Sequence, residues 1–177
     1  MSSWIASWPN YGVERVPTRA DTGHRRCGEG APVSGVRCPV SGVRRIGTIR
    51  YMEIIGLGID LAEVSRVRKL LRRDAERFRK RCFTDHEWEY AHRFTDPSER
   101  LAARFAGKEA VMKSMFTGWR RIPWRDVEIT GGGPPRVNLY GKAEQRAAML
   151  GVTDIKITIT HTGDTAMVFV VSQGEHR

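Results

Sequence analysis

The stretch LAARFAGKEAVMK at residues 101–113 sets charged side chains on a helix whose other positions are small and apolar. At about 100° per residue, Ala102, Phe105, Ala106, Glu109 and Lys113 fall on one face. Small residues at 102 and 106 let another element approach closely, which leaves Glu109 poorly hydrated. A buried carboxylate without a partner is costly, so this one is paired or holds a cation. Two readings compete: a surface pair with Lys113 at i,i+4, worth about 0.3 kcal/mol, or one half of a metal site.

The candidate second half lies forty-nine positions earlier, where the run IIGLGID at 54–60 closes on Asp60. The segment 54–59 is apolar on both faces and is expected as an interior strand. Asp60-Leu61-Ala62-Glu63 has the spacing of an N-cap aspartate with glutamate at the third helical position. A helix is therefore expected to open at Asp60, with Val64, Val67, Leu70 and Leu71 as its buried stripe. Capping and metal binding are compatible, because a carboxylate keeps lone pairs after accepting one backbone hydrogen bond. Two such acids flanked by lysines can hold one hard cation that grips phosphate.

The remaining elements follow from punctuation and periodicity. Asp74 breaks the helical rhythm, and a basic stretch leads to Phe78, Cys82 and Phe83. Thr84-Asp85-His86-Glu87 resembles the capped start of a second helix carrying Trp88 and Ala91. Pro97-Ser98-Glu99 is expected to cap the central helix, which runs to about Met115. Strands at 127–129 and 137–139 flank Gly131-Gly132-Gly133-Pro134-Pro135, a turn by composition. Residues 142–150 form a short helix ended by Gly151. Ile155, Ile157 and Ile159 alternate with Lys156, Thr158 and Thr160, and after Gly163-Asp164 a last strand covers 166–171. The order β-α-α-α-β-β-α-β-β defines an α+β fold, a mostly antiparallel sheet packed on a long central helix, and not a doubly wound parallel sheet.

The chain has 177 residues and a formal charge of +10. That length buries one ordinary core, and that charge selects an anionic partner or substrate. Residues 1–51 hold eight arginines and no lysine, repeat PVSGVR at 32–37 and 39–44, and lack hydrophobic periodicity. They are expected to be disordered, and Met52 is expected to be the true start; a basic tail that binds nucleic acid is the alternative. Cys27, Cys38 and Cys82 show no zinc spacing and leave an odd thiol, which points to a reducing cytoplasm. No apolar run reaches the ~20 residues of a membrane helix, and no membrane partner is expected.

Two more features bear on function. Between residues 66 and 81 nine basic residues face only Asp74 and Glu76. Arg66, Lys69, Arg73 and Arg77 can share a stripe, an electrostatic landing surface for an acidic partner. DNA would fit the charge, but no nucleic-acid motif accompanies it. His161 shares parity with Ile155, Ile157 and Ile159, at the polar end of an apolar face. It is either a satisfied, partly buried histidine or a ligand contact. Gly56-Leu57-Gly58 lacks the third glycine of a dinucleotide loop, and no P-loop occurs.

Gly58-Ile59-Asp60-Leu61-Ala62-Glu63-Val64, Arg104-Phe105-Ala106-Gly107-Lys108-Glu109-Ala110 and Thr158-Ile159-Thr160-His161-Thr162 together resemble holo-[acyl-carrier-protein] synthase, the short bacterial type of 4′-phosphopantetheinyl transferase. The resemblance spans roughly 52–171 and implies that family's fold. It implies transfer of phosphopantetheine from coenzyme A to a serine of apo-acyl carrier protein, releasing adenosine 3′,5′-bisphosphate, in fatty acid biosynthesis. It further implies Asp60 and Glu109 as magnesium ligands, and Glu109 and Lys113 as catalytic residues. Arg104, Lys108, Lys113 and His161 would then meet the coenzyme, and Arg66, Arg73, Arg77 and Arg81 the carrier protein. The serine proton would pass to Glu109 or to a water on the metal. A cytoplasmic homotrimer with sites between subunits is implied as well, so that His161 serves a neighbour's site. The rival reading is a basic binding module in which Asp60 is only a cap and Glu109 only an ion pair. The chain departs from the family at Gly107, Met112 and Phe116, where alanine, serine or leucine, and glycine are usual. Phe116 bears on the coenzyme pocket.

Overall fold

The computed structural model describes residues 52–175, so the expectations for 1–51 lie outside the described residues. Three long strands, β1 (Met52–Glu63), β4 (Val152–Thr162) and β5 (Thr165–Glu175), form an antiparallel sheet in the order β1-β5-β4. Two short strands, β2 (Val127–Thr130) and β3 (Arg136–Leu139), pair separately as an antiparallel hairpin. Four helices complete the expected order: α1 (Val64–Cys82), α2 (Asp85–Ala91), α3 (Ser98–Ser114) and α4 (Gly141–Leu150).

The central helix α3 lies on the three-stranded sheet because the sheet offers it almost no side chains. Ala166, Val168, Val170 and Ser172 of β5 alternate towards it and are buried, while Gly56, Gly58 and Ala62 do the same on β1. A Cβ at Gly58 would overlap the Ala110 carbonyl oxygen, and one at Gly56 that of Ser114. The Gly56-Leu57-Gly58 run is thus a seat for a helix backbone. The Ser114 hydroxyl lies 2.6 Å from that of Ser172, which pins the last turn of α3 to β5. On its other side α3 meets β2, where the Cδ1 of Ile129 fills the place a Cβ of Gly107 would take. Leu101, Ala102, Ala106, Ala110, Val111 and Met112 are fully enclosed. A helix covered all round needs no polar stripe, so its charged residues stand out.

Several expectations change. β1 is an edge strand, not an interior one: Leu57, Ile59 and Leu61 are 57, 53 and 61% exposed. Its small residues face α3 and its large ones face outward, so an apolar run on both faces did not mean burial on both. Asp60 lies within β1, paired with Val168, and does not cap a helix. The strand runs on to Glu63, and the cap comes from the β4–β5 turn instead. There the Asp164 carboxylate accepts from Ser65 N at 2.7 Å and the Asp164 carbonyl from Val64 N at 2.8 Å. Leu70 and Leu71 are only half-buried. Asp74 is non-helical (φ −163°, ψ 76°) and kinks α1, and its carboxylate restarts the helix by accepting from Arg77 N at 3.0 Å. α3 is capped by Asp96, which accepts from Ser98 N at 2.9 Å, and not by residues 97–99. The capping box of Thr84 and Glu87 and the left-handed Gly151 (φ 74°) are as expected.

Candidate active site

Asp60 shares the parity of Gly58 and Ala62, so its side chain points at α3 rather than at solvent. It meets there the exposed edge of an otherwise enclosed helix, where Glu109 and Lys113 are one turn apart. Lys113 Nζ lies 2.6 Å from Asp60 Oδ1 and donates to the Ile59 carbonyl at 3.1 Å. The Asp60 and Glu109 carboxyls are close enough for the charge of Asp60 to act on Glu109. Burial, more than anything else, pushes the Asp60 carboxyl above the ordinary carboxylate range, against the pull of Lys113. Glu109 is raised too, first by burial and next by the charge of Asp60, while Lys113 and Arg66 oppose the rise. The expected convergence is therefore present in a single chain.

Two oxygen donors whose mutual repulsion one lysine leaves under-compensated suit a small hard cation that completes its shell with water and phosphate oxygens. Among the described residues no group of three or more His, Cys, Asp or Glu could hold a metal ion. Two carboxylates are fewer oxygen donors than an all-protein cage supplies, so a cation held there would take the rest of its shell from water or substrate.

The other candidates separate. Lys108 lies in the core, fully enclosed, with Nζ 2.7 Å from Glu87 Oε2 and donating to the carbonyls of Trp124 at 3.0 Å and Val127 at 2.5 Å. Those three partners use its three N–H groups, which leaves none for coenzyme phosphate. Burial lowers its ammonium pKa and the Glu87 carboxylate opposes that. Arg104 is also buried; it stacks on Tyr90 at 4.3 Å and donates to the Arg100 carbonyl, while its Nε has no partner among the described residues. A Cβ at Gly131 would crowd its Nη2 and the Tyr90 ring, so that glycine makes room for the stacked pair. A buried guanidinium with one N–H left unpartnered could still take an anion.

His161 is half-exposed and its Nε2 lies 3.1 Å from Glu99, at the start of α3. Glu99 and Glu109 are ten residues apart on one helix, about 15 Å along its axis, so His161 does not join the acid pair of its own chain. On α1, Arg68 is bound to Asp96, and Arg79 and Lys80 to Glu76. Arg66, Arg73, Arg77 and Arg81 form no ion pair within the described residues and remain exposed. Tyr90 was missed by sequence reasoning, although it follows Glu87 by three positions and so shares its helix face.

The 4′-phosphopantetheinyl transferase superfamily matches residues 56–167, and the chain belongs to that superfamily. It is 43% identical over 121 residues to the holo-[acyl-carrier-protein] synthase of Solibacter usitatus, covering 67% of this chain and 97% of that protein. The crystal structure of holo-ACP-synthase from Plasmodium yoelii superposes with a TM-score of 0.63 at 27% identity, covering 71% of this chain and 99% of that one. The synthase of Bacillus anthracis in complex with CoA (3′,5′-ADP) superposes with a TM-score of 0.57 at 27% identity, over 70% of this chain and 99% of that one.

Proposed function

We propose that the cleft between β1 and α3 transfers 4′-phosphopantetheine from coenzyme A to a serine of apo-acyl carrier protein, as the relatives' name describes. The observation that carries this reading is the meeting of Asp60, Glu109 and Lys113 across forty-nine positions of chain. Asp60 and Glu109 would hold a magnesium ion, which when bound neutralises pyrophosphate charge. Lys113 spends two N–H groups on Asp60 and Ile59 and keeps one for a phosphate oxygen. Glu109, its carboxyl raised above the ordinary range first by burial, is suited to take the serine proton as the serine oxygen attacks the β-phosphorus. The bond from that phosphorus to the bridging oxygen breaks, and adenosine 3′,5′-bisphosphate leaves. Arg104 and His161 are assigned to the nucleotide end. Lys108 is left out of the coenzyme set because its hydrogen bonds are spent in the core.

Arg66, Arg73, Arg77 and Arg81, without ion pairs among the described residues, fit an acidic carrier protein. Arg66 is near enough to Glu109 to act on it electrostatically, which would bring the docked serine to the acids. The outward apolar face of β1 supports assembly of this chain with copies of itself, taken here as a homotrimer. Among the described residues no helix is long and apolar enough to cross a membrane, and Cys82 is a free thiol, which fits the cytoplasm.

Incubation with coenzyme A, magnesium and apo-carrier protein, followed by mass spectrometry of the carrier, tests the reading. The carrier is expected to gain one phosphopantetheine, and Asp60→Asn to slow that gain at least about 100-fold. Salt-sensitive carrier binding without any mass gain would make the protein a binding module instead.

A further inference from the structure

Beyond the end of α3 the chain does something energetically unfavourable in plain view. Phe116 is left-handed (φ 54°), and among the described residues it alone of the non-glycine residues has a positive φ. Phe116 N donates to the Lys113 carbonyl at 3.0 Å and Thr117 N to the Met112 carbonyl at 3.0 Å, the bond pair of a helix end whose left-handed position glycine normally fills. Arg146 of α4 donates to the Met115 carbonyl at 3.0 Å and holds the turn from outside. The ring does not recover the strain by burial, because Phe116 is 58% exposed. Its Cζ comes within 3.3 Å of where a Cβ of Gly56 would stand, so the ring rests by its tip on β1. A strained, over-determined and exposed side chain one helical turn past Lys113 is a reason to look for a ligand.

Position says which ligand. The ring lies one turn past Lys113, and its contact Gly56 is four strand residues, about 13 Å, from Asp60. Arg104, whose buried Nε has no partner among the described residues, lies towards the opposite end of α3. Coenzyme A has a polyanionic nucleotide on one side of its pyrophosphate and an uncharged arm of methyls, methylenes and amides on the other. We infer that Phe116 is a specificity-determining residue whose ring forms a wall for the uncharged pantetheine arm of the donor; this rests on the proposed transfer reaction. With the pyrophosphate at Asp60 and Glu109, the arm runs along β1 towards Gly56, and the ring covers its apolar side.

Calorimetric titration of the full chain with coenzyme A and, separately, with adenosine 3′,5′-bisphosphate tests this in wild type, Phe116→Gly and Phe116→Tyr. Phe116→Gly is expected to bind coenzyme A about 10-fold more weakly, the effect of one aromatic contact, and to bind the bisphosphate unchanged. It should also melt about 3 °C higher as the left-handed strain is released. Phe116→Tyr should keep wild-type affinity for both. Unchanged coenzyme A affinity in Phe116→Gly, or equal weakening of both ligands, would overturn the inference and leave the transferase reading standing. A lower melting temperature would make the ring a structural cover for Gly56 and overturn it too. Wild type that binds neither ligand would bring down the transferase reading and this inference together.

Discussion

Lys108 and Lys113 sit five residues apart on α3 and meet opposite surroundings. Lys108 offsets Glu87 in the core, so Lys108→Ala strands a buried carboxylate and should cost about 3–5 kcal/mol in urea unfolding. Lys113 is partly exposed, so Lys113→Ala should cost less stability than Lys108→Ala while losing transfer activity. Helical spacing could not separate them. Both are lysines beside Glu109, and what distinguishes them is that α2 and β2 close over one and not the other. Glu109 carries a second prediction. Folding raises its carboxyl above the ordinary value of 4.5, so the folded state favours the protonated form. The stability this contributes is full below that ordinary value and is lost as pH rises through the raised one, so at neutral pH the ionised group is a burden. Glu109→Gln should therefore melt higher than wild type at pH 7, with the gain fading as pH falls below about 4.5. Added magnesium should raise the wild-type melting temperature and leave that of the variant unmoved.

At the scale of elements, local signals were legible wherever the partner was local. The capping box of Thr84 and Glu87 joins residues three apart, and the Gly151 stop depends on one backbone angle. Asp60-Leu61-Ala62-Glu63 carried an equally good local signal and was overridden. Pairing with β5 kept those residues extended, and Asp164, ninety-nine positions from Ser65, supplied the cap. The Gly56-Leu57-Gly58 run likewise had no meaning until α3 was laid upon it. Gly58→Ala should be among the most damaging single-methyl changes, because its Cβ meets a backbone carbonyl that cannot rotate away. A loss of about 3 kcal/mol or more is expected in denaturant titration. Wild-type stability there would mean α3 sits further from β1 than described.

At the scale of the whole molecule, the outward face of β1 and β5 is the unfinished part. Ile54, Leu57, Ile59 and Leu61 on β1 and Phe169 on β5 expose a continuous apolar surface on an otherwise strongly basic chain. A charge placed there should prevent assembly without touching the acid pair, which lies on the other face of the same strand. Leu57→Glu is expected to reduce the sedimentation mass from that of the proposed trimer to that of one chain, with activity lost if sites are completed between subunits. An unchanged mass would remove this face from the assembly. By itself the sequence determined the order of elements and the α+β class, because hydrophobic periodicity and turn residues are local properties. Tertiary structure alone decided which lysine reaches the acid pair, which residue caps α1 and which face of β1 stays uncovered. Those outcomes depend on contacts between segments distant along the chain, and no local pattern encodes which side chain a neighbouring element will enclose.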